Sequence, residues 1–200
     1  VFLVDRDWSD ALSIKYQQQK LVVLKKYSIE NYLIDYSVFK AIVLANNPRE
    51  NIEEIFSHKD FALLTKKLSE ILRPLFECFL TMQKVKDPRP GCGQKKPGHF
   101  QSEKKRGWPD EDKINNFIKD INITIPESVR KYFKGSQVIE KGHGKYLLQF
   151  IWNAVREKNS KREQMDQDRL MIRLAQTVDT KVFKKLCEEI IKKADHKNRG

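Results

Sequence analysis

The chain has few cysteines and no long apolar run, and each absence excludes whole classes of protein. Three cysteines are spread over 200 residues, and no pair of them has the C-x-x-C spacing of a zinc ribbon or a redox site. An odd number of scattered cysteines also argues against a disulfide framework. No apolar run reaches the roughly 18 residues that a transmembrane helix needs. We therefore expect a reduced, cytoplasmic protein that does not cross a membrane.

Acidic residues are scarce relative to basic ones, and this imbalance predicts a polyanionic partner. The chain holds 39 Lys and Arg against 27 Asp and Glu, which gives a net charge of +12. A balance this basic favours nucleic acid first, with an acidic protein or an anionic membrane as weaker alternatives. A Lys-rich solvated surface would give the same count. The 40% hydrophobic content is enough for a packed core.

The first seven residues, VFLVDRD, form an apolar run that ends in two aspartates. The run predicts a buried strand, and because side chains alternate along a strand, Asp5 and Asp7 should point to the same side. Two neighbouring carboxylates repel each other unless a cation lies between them, and such hard oxygen ligands suit Mg²⁺ or Mn²⁺. The chain begins inside this strand, so we expect an upstream part of the sheet outside it.

A third acidic residue, Glu30, follows a second apolar run at residues 20–24 and falls in the first turn of a helix that Ser28 is expected to cap. Neighbouring strands bring their ends together, so Glu30 is predicted to join Asp5 and Asp7 as a metal ligand and catalytic residue. The alternative is that Glu30 only offsets the helix dipole.

The segment Gly142-His143-Gly144-Lys145 precedes an amphipathic helix over residues 145–158. Its glycines allow a ligand to approach the backbone, and a helix N-terminus favours an anion. Lys145 is therefore a candidate catalytic residue that neutralises a phosphate, and His143 a candidate nucleic-acid contact. The pattern lacks the GxxxxGK[ST] spacing of a Walker A motif, and a plain turn is an equal alternative.

The rest of the pattern is mostly helical, with one exception. We divide the chain into a sheet portion (1–48), a helical segment (49–83) with Pro74 expected to kink or split its long helix, a basic flexible loop (84–107) and a helical C-terminal region (108–200). The loop has three prolines, four glycines and a net charge of +6, so it is predicted to be structureless. This loop is either a solvated insertion or a contact for nucleic acid. In the second case, a group of later basic residues would contact the nucleic acid as well. The candidate side chains are Lys95, Lys96, Lys104, Lys105, Arg106, Arg130, Lys131 and Lys134.

Three segments, VFLVDRDW, LVVLKKYSIENYL and KGHGKYLLQFIWN, resemble the DUF4435 group of TOPRIM-domain proteins, relatives of the overcoming-lysogenization-defect nucleases. The resemblance implies an α/β TOPRIM-like sheet core, whose N-terminal part lies outside this chain, followed by a mainly helical C-terminal region. It also implies that Asp5 and Asp7 bind Mg²⁺ beside a phosphodiester, with Glu30 as a further acidic member, and that an earlier glutamate lies upstream. Members of the group include the TOPRIM effector of the PARIS anti-phage defence system, which works with an ABC-type ATPase and cleaves tRNA. Other relatives cut DNA.

The resemblance therefore implies a divalent-metal-dependent nuclease of tRNA or DNA, with an ABC-type ATPase or a second copy of the chain as possible partners. Two other functions remain open. A haloacid-dehalogenase-like phosphatase would use Asp5 as its nucleophile, although Ser9 stands where that motif has Thr or Val. A non-catalytic module for nucleic acid or a partner protein would keep the acidic cluster as a structural feature only.

Overall fold

The computed structural model describes residues 2–15, 21–46, 56–105, 107–135 and 137–158, together with Glu54 and isolated residues between 172 and 192. The fold is mixed α/β, with about 61% helix and a small two-strand parallel sheet. The α/β class predicted from the sequence is confirmed at this level. No helix in the described ranges is long and apolar enough to cross a membrane.

The sheet consists of β1 (Phe2–Val4) and β2 (Leu21–Val23), which pair in parallel with Phe2 opposite Leu21. The amide of Leu24 donates to the carbonyl of Val4 over 3.0 Å and continues the ladder by one bond. The prediction that β1 extends to residue 7 is wrong. A turn begins at Asp7, whose φ of 45° lies in the left-handed region, so strand alternation does not place Asp7 beside Asp5.

The segment after β2 forms a 3-10 helix (Ile29–Tyr32) and then α1 (Tyr36–Asn46). The helix that we expected Ser28 to cap is therefore a short 3-10 helix, separate from α1. Two local caps explain the break. The Asn31 side chain accepts bonds from the backbone and hydroxyl of Ser28, and Asp35 accepts the amide of Ser37 at the start of α1.

Helix α2 (His58–Lys84) is the central element of the fold. Ser57 and Asp60 form a reciprocal capping box at its start, as the amide of each donates to the side chain of the other. The helix continues through Pro74, so the predicted split is wrong. Its inner face supplies many of the fully buried large side chains of the core, which include Leu68, Leu72, Phe76 and Phe79.

The basic stretch is folded where the structure describes it, so the prediction of a structureless loop is wrong. It contains a 3-10 helix (Pro97–Phe100), and Gln101 forms an antiparallel bridge with Pro109. Phe100 is only 2% exposed. Its ring lies 5.3 Å from that of Phe117 and 6.2 Å from that of Tyr146. Phe100 thus anchors this segment to the core, although the composition of the segment is typical of a linker.

The chain ends, as far as the described ranges go, in four helices: α3 (Glu111–Ile121), α4 (Glu127–Tyr132), α5 (Gln137–Lys141) and α6 (Gly144–Lys158). Helix α6 confirms the amphipathic helix predicted over residues 145–158, and the other three lie in the region predicted to be helical. The five-residue α5 is by itself too short to show a hydrophobic period. Most of that region beyond residue 158 lies outside the described residues.

The anchoring role of Phe100 gives a stability prediction. Phe100→Ala should lower the free energy of unfolding by about 3–5 kcal/mol, because it removes a buried ring and leaves a cavity. Urea denaturation measures the change, with exposed Lys104→Ala as the matched control in the same segment. Equal stability of the two variants would mean that the segment is not packed into the core.

Candidate functional site

The predicted acidic residues lie where the two parallel strands end. The Asp5 Oδ1 atom accepts a 3.2 Å hydrogen bond from the backbone of Ile29, which ties the end of β1 to the 3-10 helix. Glu30 is the next residue and lies in the first turn of that helix, buried to 7% exposure. Asp5 and Asp7 remain exposed. The carboxyl ends of parallel strands are the usual position for a site in such a fold.

The start of α6 packs directly on this 3-10 helix. A Cβ atom at Gly144 would lie 2.6 Å from the Ser28 hydroxyl oxygen, 2.6 Å from Asn31 Oδ1 and 2.8 Å from the Cβ of Glu30. Contacts under 3.0 Å are not tolerated, so the packing requires glycine at this position. The next residue, Lys145, is exposed. The structure therefore brings together the two sequence segments in which we predicted site residues.

Asn31 bonds these two segments to each other from within. Its Nδ2 atom donates to the carbonyl of Ile139 over 2.7 Å and to that of Gly142 over 3.0 Å. Its Oδ1 atom accepts from Ser28, as described above. Asn31 is fully buried. A buried amide that satisfies several partners fixes one arrangement of the backbone around it.

The two aspartates repel each other and Glu30. Although Asp5 is exposed by surface area, partial desolvation of its carboxyl group raises its pKa; the amide of Ile29 opposes this shift, Glu30 adds to it and Lys145 reduces it. Burial also raises the pKa of Asp7, with further contributions from the charges of Asp5 and Glu30. These four side chains thus interact electrostatically. A bound cation would relieve the repulsion among the three carboxylates.

Tyr27 belongs to the same site, and the sequence did not reveal it as a site residue. Its carbonyl accepts the amide of Asp7 over 2.7 Å, and its neutral hydroxyl lowers the pKa of Asp7, against the larger effects of burial and of the neighbouring carboxylates. Burial raises the pKa of Tyr27 far above its usual value, so its hydroxyl keeps its proton. The quoted YSIENYL segment contains the residue, but its contact with Asp7 joins positions that are 20 apart in sequence.

His143 occupies the interior of the site. Its ring lies 5.3 Å from that of Tyr27 and 5.1 Å from that of Tyr146, and its buried Nδ1 atom has no hydrogen-bond partner among the described residues. Burial lowers the pKa of His143 to about 4, Glu30 opposes the shift and Lys145 adds to it. The imidazole is therefore neutral at neutral pH. The role of His143 as a nucleic-acid contact stays a prediction.

The carboxylate oxygens suit a hard divalent cation, but the side chains do not surround a metal position on all sides. Within the described residues, no three His, Cys, Asp or Glu side chains form a ready metal-binding group. Mg²⁺ is usually held by one or two carboxylates and several water molecules, so it does not need such a group. The negative charges of Asp5 and Asp7 create the potential that attracts a cation. The residues present therefore fit Mg²⁺ or Mn²⁺, with Asp5 and Asp7 as the carboxylate ligands and Glu30 nearby.

The predicted nucleic-acid contacts are spread over several surfaces. Lys95 is half-buried, and its carbonyl accepts the Tyr146 hydroxyl over 2.6 Å, which ties the basic stretch to α6 beside His143. Lys105 lies 4.2 Å from the centre of the Trp108 ring. Arg106 lies outside the described residues. The other five predicted contacts are exposed: Lys96, Lys104, Arg130, Lys131 and Lys134.

Comparisons with protein-family models, with curated proteins and with solved structures find no match. The resemblance to TOPRIM proteins therefore stays a prediction, and the case for a function depends on the geometry of the site.

Removal of the Asn31 amide should loosen the site. Asn31→Ala leaves two carbonyls and the Ser28 hydroxyl without their partner, and each buried polar group left unpaired costs roughly 1–3 kcal/mol. Thermal or urea unfolding of Asn31→Ala should show this loss. Asn115→Ala, at an exposed position of α3, should be close to wild type. Similar effects of both variants would contradict the bonding role.

The burial of His143 predicts how stability depends on pH. Because its pKa falls from 6.5 to about 4 on folding, the folded chain binds fewer protons than the unfolded chain between these values. The stabilisation is complete above 6.5 and is lost as the pH falls toward 4. Urea unfolding at neutral pH and at about pH 5 should show that wild type loses on the order of 1–2 kcal/mol more than His143→Phe. The same pH dependence in both proteins would show that His143 is not buried.

Proposed function

We propose that the chain is the catalytic part of a divalent-metal-dependent nuclease that hydrolyses phosphodiester bonds. The observation that supports this most strongly is the convergence of Asp5, Asp7 and Glu30 with Lys145 at the carboxyl ends of β1 and β2. Like charges rarely gather at one place without a function, and an unpaired acidic cluster at a strand end is a typical metal site.

Asp5 and Asp7 would hold Mg²⁺ or Mn²⁺, and Glu30 lies close enough to interact with both. When bound, the metal supplies a Lewis acid that activates water and offsets charge developing on the phosphate. The chain's own groups do the remaining work. Lys145, exposed at the start of α6, pairs with a phosphate oxygen and the amides of that helix turn favour the same anion.

Tyr27 contributes by positioning. Its carbonyl holds the amide of Asp7, which supports a backbone conformation that a non-glycine residue seldom adopts. Neutral His143 lies behind this pair and cannot act as a cation toward the substrate near neutral pH. In the reaction, water adds to phosphorus, one phosphorus–oxygen ester bond breaks, and the released oxygen takes a proton.

The substrate class follows from charge. A net charge of +12 draws the polyanion to the surface without regard to its sequence. The exposed lysines and arginines named above supply that attraction. By resemblance we further propose that the substrate is tRNA or DNA, and that the protein acts in anti-phage defence with an ABC-type ATPase partner.

A cleavage assay on the longest available form of the protein tests the proposal. Asp7→Asn should reduce Mg²⁺-dependent cleavage of tRNA or plasmid DNA by at least about a hundredfold, since it removes one metal-binding carboxylate. Binding in EDTA should stay close to wild type, because the affinity comes from basic residues elsewhere. Asp112→Asn, an exposed carboxylate on α3, is the matched control.

Three outcomes of this assay differ in meaning. Loss of cleavage in Asp7→Asn alone supports the nuclease. Full cleavage by Asp7→Asn shows that the site is assigned wrongly. Binding without cleavage in every lane favours the non-catalytic module, and a phosphorylated Asp5 trapped with a phosphate ester favours the phosphatase.

A further inference from the structure

A cleft of about 690 Å³ opens beside the acidic site, and Asp7 belongs to both. One side consists of Tyr27, His143 and residues of α2, and the other side is the segment Asp87–Gln94 from the basic stretch. The volume falls within the roughly 300–1,000 Å³ that is usual for sites of small organic ligands. A polymer held at the carboxylates would therefore place its neighbouring unit in this cleft.

We propose that this cleft receives one unpaired nucleoside of the substrate, so that the nuclease acts on single-stranded or looped nucleic acid. The inference rests on the proposed function, because it places the strand on Asp5 and Asp7. It adds a substrate class and a set of residues that the acidic site alone does not give.

The charges of the cleft favour a nucleoside over a phosphate. Its only cation among the described lining residues is Arg89, and Asp87 neutralises it through two bonds of 2.9 and 2.6 Å. Asp7 adds a negative charge. A phosphate would meet net repulsion inside, whereas a base and its sugar are neutral. Lys95 and Lys96 follow this segment directly in sequence and add positive charge outside the lining residues.

The walls offer what a base needs, which is flat apolar surface and groups that bond its edges. Exposed Pro88 and the small accessible part of Tyr27 supply the apolar surface, and Phe79 and Met82 lie behind it in the core. His143 also lines the cleft, although its unpartnered Nδ1 atom is itself buried. Gln94 lines the cleft and, in the described residues, uses only its oxygen, which accepts the amide of Gly91 over 3.2 Å.

The segment Asp87–Gln94 is held in place before any ligand binds. The Arg89 Nη1 atom donates to the carbonyl of Asp120 over 3.3 Å, which ties the segment to the end of α3. The Cys92 sulfur lies 3.9 Å from the Tyr27 hydroxyl, in hydrogen-bond contact. Burial raises the pKa of Cys92 to about 12, so its thiol stays neutral. A preformed wall loses little conformational entropy on binding and favours one shape of ligand.

A base paired within a duplex cannot enter such a cleft. It would have to leave its stack, which costs a few kcal/mol for a paired base and less for one in a loop or a single strand. The geometry therefore predicts a preference for unpaired nucleotides that electrostatic attraction alone does not give.

Two glycines allow a test in which the cleft is filled without strain. A Cβ atom at Gly93 would have no heavy atom within 4 Å, and the same holds at Gly98. Gly93 lines the cleft, whereas Gly98 lies in the 3-10 helix Pro97–Phe100 of the same stretch and is not a lining residue. Gly93→Trp should therefore occupy the cleft, and Gly98→Trp is the matched control.

Fluorescence anisotropy in EDTA measures binding of a short labelled single-stranded RNA, its DNA counterpart and the duplex of each. We expect wild type to bind at least one single strand more tightly than the duplexes, and Gly93→Trp to weaken that binding at least about tenfold. Gly98→Trp should bind like wild type. The RNA and DNA arms show which sugar the cleft accepts.

Several results would overturn the inference: equal binding of single strand and duplex by wild type, wild-type binding by Gly93→Trp, or equal losses in both tryptophan variants. If Gly93→Trp has an altered unfolding midpoint, Gln94→Ala replaces it with the same expected direction. Because EDTA prevents metal-dependent cleavage, this result is separate from that of Asp7→Asn. Loss of binding in Gly93→Trp without any nuclease activity would leave the cleft as the nucleotide site of a binding module.

Discussion

The buried amide of Asn31 is the interaction on which the rest of the site depends. It joins the 3-10 helix after β2 to the turn before α6, two parts of the chain that are more than 100 residues apart in sequence. Gly144 allows the contact because it has no side chain to meet Ser28 and Glu30. At the same junction, Lys145 interacts with Asp5 and His143 packs against Tyr27. A polar network that is satisfied at every atom can specify a single arrangement in this way.

The site that this contact assembles is electrostatically unfavourable by itself. Asp5, Asp7 and Glu30 lie close enough for Glu30 to raise the pKa of each aspartate, and Lys145 reduces this effect at Asp5 only in part. The backbone of Asp7 is also in the left-handed region. Natural proteins accept such local conflicts mainly at functional sites, where a ligand resolves them. A divalent cation and a phosphate of the substrate would balance the charges that the chain leaves unbalanced.

Much of this arrangement could be predicted from sequence because the signals are local. Two apolar runs that end in polar residues gave the parallel strands, and the position of Glu30 after the second run placed it near Asp5. Helical periodicity predicted the helix over residues 145–158, which α6 matches closely, and placed a long helix in the segment 49–83, where α2 lies. The GHGK segment was also predicted to precede an amphipathic helix, which α6 confirms, whereas its role in binding a phosphate stays a prediction.

The remaining features depend on contacts between distant residues, which no local pattern shows. Tyr27 meets Asp7 across the strand ends, and Cys92 meets Tyr27 from the basic stretch. Phe100 packs between the helices and orders a segment whose prolines, glycines and lysines predict a loop. The break between the 3-10 helix and α1 comes from side-chain caps at Ser28, Asn31 and Asp35, which override the apolar period.

The most direct test of the account is metal binding at the acidic site. Titration of Mn²⁺ followed by electron paramagnetic resonance, with Mg²⁺ as competitor, would compare wild type, Asp5→Asn/Asp7→Asn and Asp112→Asn. We expect a Mn²⁺ site in wild type that Mg²⁺ competes for, that Asp112→Asn retains, and that the double variant weakens at least about tenfold. Equal Mn²⁺ binding in all three proteins would show that Asp5 and Asp7 are not metal ligands and would contradict the central claim.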